Sequence, residues 1–243
     1  MLRSHPVGES DRIVTFLTRD AGKVRGVAKG ARRSRRRFGS NLELLSRVRL
    51  NWFEREGVDL ARIEAAELLE SFYNLQADPE RGALLACFAE VADCFAREEQ
   101  AEPAFYRLLH AVLRAVRDGL DLQWARSYFE IWTLRLHGVL PPIDACVSCG
   151  SALRGSGGRY DRRQGGVTCG SCGEGRGVGD MALAPAAVTV AGEILRQPPD
   201  AFLGRPAEPD LEALAALAAA IFFDLTDKRF RSYDVLRALR GRS

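Results

Sequence analysis

Four of the six cysteines fall into two pairs with the same spacing, and these pairs constrain the fold more than any other feature. Cys146-Val-Ser-Cys149-Gly and Cys169-Gly-Ser-Cys172-Gly are Cys-x-x-Cys-Gly knuckles separated by nineteen residues, a spacing found in zinc ribbons. Two residues between ligands let one tight turn direct both sulfurs at a single ion, and the following glycine relaxes the backbone. The sequence therefore predicts a metal ribbon embedded at 144–180.

The motif predicts one structural Zn²⁺ held by four thiolates, Cys146, Cys149, Cys169 and Cys172. The intervening segment, 151–168, is rich in Gly, Arg and Ser and has no apolar core, so a metal would supply its folding energy. Four thiolates complete a tetrahedral shell and leave no position for a reacting water. The alternative is a pair of disulfides, which a reducing cytoplasm disfavours. Cys87 and Cys94 lie in a helical pattern and are predicted to be core thiols.

The charge of the chain is unevenly distributed. Residues 1–50 hold thirteen Arg or Lys and four Asp or Glu, a net charge of +9, while the rest of the chain carries −6. A basic segment on an acidic body indicates an anionic partner. No apolar run is long enough to span a membrane, and charges stand where a secretory signal needs apolar residues. We therefore expect a cytoplasmic, nucleoid-associated protein without membrane contact.

The first seventy residues have the composition of short strands. Runs rich in Val, Ile, Leu and Phe are bounded by glycine-containing turns, and they are Arg12–Thr18, Lys23–Lys29, Leu44–Phe53 and Leu60–Leu68. These runs are typical of a small barrel. In the third run Val48, Leu50 and Trp52 alternate with Arg47, Arg49 and Asn51, which predicts one core face and one basic face.

A loop between the second and third of these runs concentrates positive charge. Six cations lie in the segment from Lys29 to Arg37. A solvated loop is the simplest interpretation, but such crowding is more readily explained if phosphates neutralise it. Phe38 and Trp52 could stack on bases if exposed, although a core position is favoured for both. The predicted DNA-binding residues are Arg12, Lys23, Arg25, Lys29, Arg32, Arg33, Arg35, Arg36, Arg37, Arg47 and Arg49.

The remainder of the chain has helical periodicity. Helices are predicted after Asp78-Pro79 and after Glu102-Pro103, at Leu122–Leu136, and, beyond the ribbon, at Pro185–Leu195 and Leu211–Leu225. The segment Leu122–Leu136 is apolar almost all round, which places it in the middle of a bundle. We predict an α+β chain of two domains: a barrel at 1–75, and a mainly helical domain at 76–243 that the ribbon interrupts.

Several stretches resemble the RecO family of bacterial recombination mediators. They are Gly8–Thr18, Gly22–Arg33, Arg37–Gly39, Glu67–Leu69, Gly138–Pro141 and Cys146–Gly150, and the resemblance covers most of the chain. It implies an N-terminal OB-fold β-barrel, a C-terminal helical domain and an embedded four-cysteine zinc ribbon. Similar proteins run several residues further upstream of Met1, so either the true start lies upstream or the barrel closes with a shortened first strand.

The resemblance also implies a function. Members of the family bind single- and double-stranded DNA, anneal complementary strands and, with RecR, load RecA onto DNA coated by single-stranded-DNA-binding protein. The C-terminal tail of that coating protein would dock on an apolar pocket with a basic rim in the helical domain. The family has no known catalytic centre, so we expect no enzymatic activity.

Other classes of function stay open from the residues alone. A metal-dependent nuclease or deaminase is disfavoured because the three histidines, His5, His110 and His137, form no His-x-Glu ahead of a cysteine pair. The motifs alone allow a zinc-ribbon RNA-binding or transcription-associated adaptor. A scaffold that binds only proteins is the remaining alternative.

Overall fold

Five strands come first in the chain, helices follow, and three short strands interrupt the helical part. The computed structural model describes residues 1–34, 37, 38, 41–54, 56–173 and 181–241. The strands are β1 (Arg3–Val7), β2 (Asp11–Leu17), β3 (Lys23–Ala28), β4 (Arg47–Phe53), β5 (Ala61–Glu70), β6 (Gly158–Asp161), β7 (Gly166–Thr168) and β8 (Met181–Leu183). The helices are α1 (Pro79–Phe95), α2 (Pro103–Arg117), α3 (Leu122–Leu136), α4 (Gly170–Gly173), α5 (Pro185–Ile194), α6 (Pro209–Thr226) and α7 (Arg231–Arg240). Short 3-10 helices lie at Tyr73–Ala77 and Pro199–Phe202.

The first five strands form one sheet in the order β1-β2-β3-β5-β4. Strands β3 and β5 run parallel, and the other neighbouring strands run antiparallel. Gly26 of β3 lies opposite Ala61 of β5, and a Cβ atom at Gly26 would stand 2.6 Å from the Ala61 carbonyl oxygen. Glycine is required at this position because a side chain would push the two strands apart.

The predicted barrel would be closed if the two edge strands of this sheet paired with each other. The main chain of Met1 makes two hydrogen bonds just ahead of β4: the Leu45 N–H donates to the Met1 carbonyl at 2.7 Å, and the Met1 amino group donates to the Ser46 carbonyl at 2.9 Å. Within the described residues β1 and β4 remain the two edges, so the structure does not show a closed barrel. The arrangement fits an OB fold, which is a five-stranded and partly open barrel.

The interior of the sheet is built around Phe38, which is fully buried. Val14, Phe16 and Ile63 pack with it in one apolar cluster. The predicted alternation of β4 is confirmed. Its side chains that pack against the cluster are Val48, Leu50 and Trp52, and its exposed ones are Arg47, Arg49 and Asn51.

The chain divides into two compact units, and the division falls within α2. One unit comprises Met1–Leu113 with Phe230–Ser243, and the other comprises Arg114–Arg229. None of the described helices is both long and apolar enough to cross a membrane.

In the first unit, α7 packs on α1 through both of its ends. The Glu90 carboxylate accepts hydrogen bonds from the backbone N–H groups of Arg231 and Ser232, at 3.2 and 3.0 Å. At the other end, the Arg240 guanidinium donates to the Glu80 carboxylate at 2.7 Å. A carboxylate at a helix N-terminus and an arginine in the last turn both complement the helix dipole. The sequence pattern did not identify α7.

In the second unit, α3 is the central helix, as its all-round apolar pattern predicts. Trp124 is fully buried, stacks on Phe202 at 4.6 Å between ring centroids, and donates its indole N–H to the Pro206 carbonyl at 2.9 Å. Tyr128 donates its hydroxyl to the Gln197 carbonyl at 3.0 Å, and burial raises the pKa of Tyr128 to about 12. These bonds satisfy the polar atoms that aromatic core residues bring inside.

We expect Phe38→Ala to lower the free energy of unfolding by roughly 3–5 kcal/mol, because it removes a fully buried aromatic ring from the sheet interior. Urea titration followed by circular dichroism measures the loss. Phe53→Ala is the matched control, since the Phe53 side chain is 63% exposed and its truncation should cost within about 0.5 kcal/mol. Equal losses from the two variants would show that Phe38 does not anchor this region.

Candidate metal centre and nucleic-acid interface

The first cysteine knuckle is a tight turn closed by the backbone. The Gly150 N–H donates to the Cys146 carbonyl at 2.8 Å, and Gly150 has a φ of 75°, in the left-handed region where glycine is least strained. The Cys146 N–H donates to the Ser151 carbonyl at 2.8 Å. The Val147 N–H donates to the Val167 carbonyl of β7 at 2.9 Å, which ties this knuckle to the ribbon strands.

The second knuckle is built differently, on the first turn of α4. The N–H groups of Cys172 and Gly173 both donate to the Cys169 carbonyl, at 3.2 and 2.9 Å. Strands β6, β7 and β8 form a separate three-stranded sheet in the order β7-β6-β8, and β7 ends at Thr168, directly before this knuckle. The ribbon strands therefore deliver both knuckles to one place.

The four knuckle sulfurs converge as a metal site requires. All four Sγ atoms lie within 4.8 Å of one another, and the Sγ atoms of Cys149 and Cys169 are 3.8 Å apart. A tetrahedral zinc with Zn–S bonds of about 2.3 Å separates its sulfurs by roughly 3.8 Å. Cys146 and Cys169 are buried while Cys149 is exposed, and none of the four knuckle cysteines is in a disulfide. This donor set fits Zn²⁺.

Hydrogen bonds around the knuckle sulfurs shift the thiol pKa values in opposite directions. The backbone N–H of Cys169 lowers the pKa of Cys146 to about 6, and the Ser171 hydroxyl lowers the pKa of Cys169. The neighbouring Cys149 sulfur raises the pKa of Cys172 to about 12. Four thiolates cannot share this volume without a cation, so binding of a divalent ion would release the remaining thiol protons.

The basic loop after β3 is fixed by two anchors. Asp11 accepts hydrogen bonds from the Gly30 N–H at 2.8 Å and from the Ser10 hydroxyl at 3.0 Å. The hydrogen bond from Gly30 contributes most to holding the pKa of Asp11 below its usual value, and the bond from Ser10 lowers it further. At the far end the Arg37 carbonyl accepts from the Ala66 N–H at 3.1 Å, and the adjacent Phe38 ring fills the sheet interior. Phe38 and the half-buried Trp52 are therefore not free stacking surfaces.

The cations of this loop differ in what they contact. Lys29, Arg32 and Arg33 are exposed. Arg33 lies 3.5 Å from the Glu9 carboxylate, and both side chains are largely solvated. Arg37 is half-buried and donates to the Lys29 carbonyl at 2.7 Å, so it supports the turn. Arg35 and Arg36, which the sequence also predicts to bind DNA, lie outside the described residues.

The predicted cations on the strands are largely paired with carboxylates. Lys23 is only 16% exposed and its ammonium group donates to the Asp93 carbonyl at 2.8 Å. Arg12 is half-buried and donates to the Ser4 hydroxyl at 2.6 Å. The exposed arginines each face one acidic residue: Arg25 faces Glu98 at 3.7 Å, Arg47 faces Glu70 at 3.6 Å, and Arg49 faces Glu67 at 2.7 Å. The solvated pairs of Arg25 and Arg49 are weak and can exchange a carboxylate for a phosphate, whereas Glu70 is only 18% exposed and also contacts His110 at 2.6 Å.

Comparison with known families identifies the family to which the chain belongs. A family model described as Recombination protein O N terminal matches residues 1–72, and one described as Recombination protein O C terminal matches residues 76–232. The chain belongs to the RecO family. The resemblance stated from the sequence is thereby confirmed.

Individual RecO relatives agree with this assignment. The chain is 39% identical over 153 residues to the DNA repair protein RecO of Koribacter versatilis, and the match covers 63% of this chain and 62% of that relative, less than two thirds of its length. It is 38% identical over 175 residues to the DNA repair protein RecO of Anaeromyxobacter sp. strain K, covering 72% and 69% of the two chains. A relative of the same name from Geobacter metallireducens is 36% identical over 177 residues, covering 72% of each chain.

Sequence reasoning missed two residues at or near the candidate interface. Asp11 holds the basic loop through Gly30, a contact between β2 and the end of β3 that strand pairing creates. Phe53 is an exposed aromatic at the end of β4. The alternation of β4 could have predicted the exposure of Phe53, because Phe53 continues the exposed series of Arg47, Arg49 and Asn51.

We expect the reduced protein to bind one Zn²⁺ per chain, and Cys172→Ser to lower the metal content sharply because the tetrahedral shell loses a thiolate. Metal analysis after gel filtration measures zinc, and the visible spectrum of the Co²⁺-substituted protein reports tetrahedral thiolate coordination.

Cys87→Ser is the control for this test, because Cys87 is buried in α1 and is not a knuckle cysteine. It should keep the full metal content. A wild-type protein without zinc, or a Cys172→Ser variant with the wild-type Co²⁺ spectrum, would contradict the four-thiolate site.

Proposed function

We propose that this chain is a DNA-binding recombination mediator that acts in DNA repair. It binds single- and double-stranded DNA, anneals complementary strands and, with RecR, helps to load RecA onto DNA coated by single-stranded-DNA-binding protein. The observation that carries the proposal is the anchored basic loop in a chain of the RecO family, whose curated relatives are named DNA repair proteins.

The described part of the loop is suited to phosphate because hydrogen bonds anchor its backbone at Gly30 and at Arg37. Asp11 fixes Gly30 at one end and the buried Phe38 fixes the other, so Lys29, Arg32 and Arg33 are presented on a shaped turn. Binding to a pre-ordered turn loses less conformational entropy than binding to a mobile one. Arginine can also hold a phosphate through two parallel hydrogen bonds.

Annealing follows from charge neutralisation in this proposal. Two complementary strands repel each other through their phosphates. Loop and strand cations that neutralise those phosphates lower the repulsion and leave the base edges free to pair. The proposed DNA-binding segment is residues 1–75, and the proposed interface includes the exposed strand arginines, Arg25, Arg47 and Arg49.

The chain acts without catalysis in this proposal. Four thiolates would fill the coordination shell of a bound zinc, which supplies folding energy to the ribbon and no open position for a substrate. The helical domain, proposed to begin at residue 76, would receive the C-terminal tail of single-stranded-DNA-binding protein.

The experiment that tests DNA binding is a salt titration. We expect wild-type protein to bind a labelled single-stranded oligonucleotide with an affinity that falls steeply as salt rises, because each phosphate contact releases counterions. Replacing Arg32 and Arg33 by Ala should weaken binding and flatten the slope of log K against log salt by about 1.4, roughly 0.7 for each lost phosphate contact. Fluorescence anisotropy measures both quantities.

A second charge-matched variant separates the loop from a general charge effect. Arg81 and Arg107 are exposed on α1 and α2, and replacing them by Ala changes the net charge by the same amount. This variant should keep the wild-type slope. Equal slopes in all three proteins would remove the loop from the interface, and absence of measurable binding by the wild type would refute DNA binding.

A further inference from the structure

Phe53 is the most exposed of the large hydrophobic side chains that the structure describes, at 63% of its full accessible area. It ends β4, and the adjacent Trp52 points to the opposite face and packs against the sheet interior. Phe38, the other aromatic near the basic loop, is fully buried. Phe53 therefore offers a solvent-facing ring where the other two do not.

Strand register places Phe53 among the cations of the outer face. Phe53 lies opposite Arg62 of β5, and Arg62 lies opposite Val27 of β3, so these three residues form one row across the sheet. Residues directly opposite one another in a ladder point to the same face. Neighbouring strands are about 4.8 Å apart, which puts the Phe53 backbone about 10 Å from β3.

The arginines around that row are each paired with a carboxylate, and one exposed lysine lies beside them. Arg62 is 45% exposed at the side chain and pairs with Glu64. On β3, Arg25 lies two residues from Val27 on the same exposed face, and the exposed Lys29 follows directly after the strand. Arg25 faces Glu98 at 3.7 Å, so at Arg25 and Arg62 a phosphate would take the place of a weakly held carboxylate.

An open depression adjoins the Phe53 ring. Its lining residues are Leu50, Asn51, Trp52, Phe53 and Glu64. Both aromatic residues at the end of β4 line it, and the Trp52 indole N–H donates to the Glu54 carboxylate at 3.1 Å. A planar group could therefore lie on the Phe53 ring with apolar wall beside it and with water on its other side.

We propose that Phe53 is a base-stacking site that takes one unpaired nucleobase of a single strand, while Arg62 and the cations of β3 hold the adjoining phosphates. The inference rests on the proposed DNA binding and goes beyond it by assigning a contact to a base. Stacking on an aromatic face is open to every base and closed to bases already stacked in a duplex. The site thus favours single strands over duplexes without reading sequence.

The test compares two probes of equal charge: a fluorescent oligothymidine and an abasic oligonucleotide of the same length. Phe53→Leu keeps an apolar side chain and removes the aromatic face, and Phe53→Trp keeps the face. We expect Phe53→Leu to weaken oligothymidine binding at least about fivefold, the lower end of base–aromatic stacking, and Phe53→Trp to stay within about twofold of wild type. Binding of the abasic probe should be the same in all three proteins.

The outcomes separate this inference from the DNA binding on which it rests. If wild type binds both probes equally and with a steep salt dependence, DNA binding stands and stacking is wrong. If Phe53→Leu matches wild type on oligothymidine, Phe53 is not the stacking site. If wild type binds neither probe, both proposals fail. Because Phe53 is exposed, thermal unfolding of the variants should match wild type and exclude misfolding.

Discussion

The burial of Phe38 is the constraint on which the N-terminal part of the protein depends. A loop that carries so many like charges would repel itself into an extended state, yet its last aromatic residue fills the centre of the sheet. The apolar contacts of one ring therefore hold down a segment that electrostatics would otherwise release. Asp11 completes the arrangement at the other end by occupying the Gly30 N–H. Hydrophobic burial and one charge-assisted hydrogen bond thus hold the described cations Lys29, Arg32 and Arg33 at the protein surface.

The ribbon has too few apolar side chains to be held together by burial alone. Its segment offers few apolar side chains, so Leu153, Tyr160 and Val167 make a very small core. A core of this size cannot offset the entropy of ordering the loops around it. Four converging thiolates would repel one another without a cation, so metal binding would be coupled to folding of the ribbon. An apolar anchor restrains like charge in the N-terminal sheet, and a metal ion would do so in the ribbon.

Local patterns in the sequence predicted those features of the structure that depend only on neighbouring residues. Cysteine spacing located the metal site, because a two-residue gap fixes the geometry of a turn. Alternation along β4 identified its buried and exposed faces, since strand side chains alternate wherever the strand lies. Contacts between residues far apart in the chain could not be predicted from such local patterns. Strand β1 is mostly exposed and has no apolar alternation, the parallel β3–β5 pair follows from topology, and α7 takes its N-terminal cap from Glu90 far away in the chain. Phe53 could be placed among cations only after the register of three strands was known.

The position of α7 has a consequence for how the protein is made. This helix belongs to the first compact unit, yet the whole second unit, Arg114–Arg229, precedes it in the chain. A nascent chain folds in the order in which it leaves the ribosome, at roughly 5–20 residues per second. The face of α1 that receives α7 must then wait uncovered while the intervening residues are synthesised and folded. The unit that begins first is completed last, and its assembly joins contacts that are remote in sequence, a slow step for any chain.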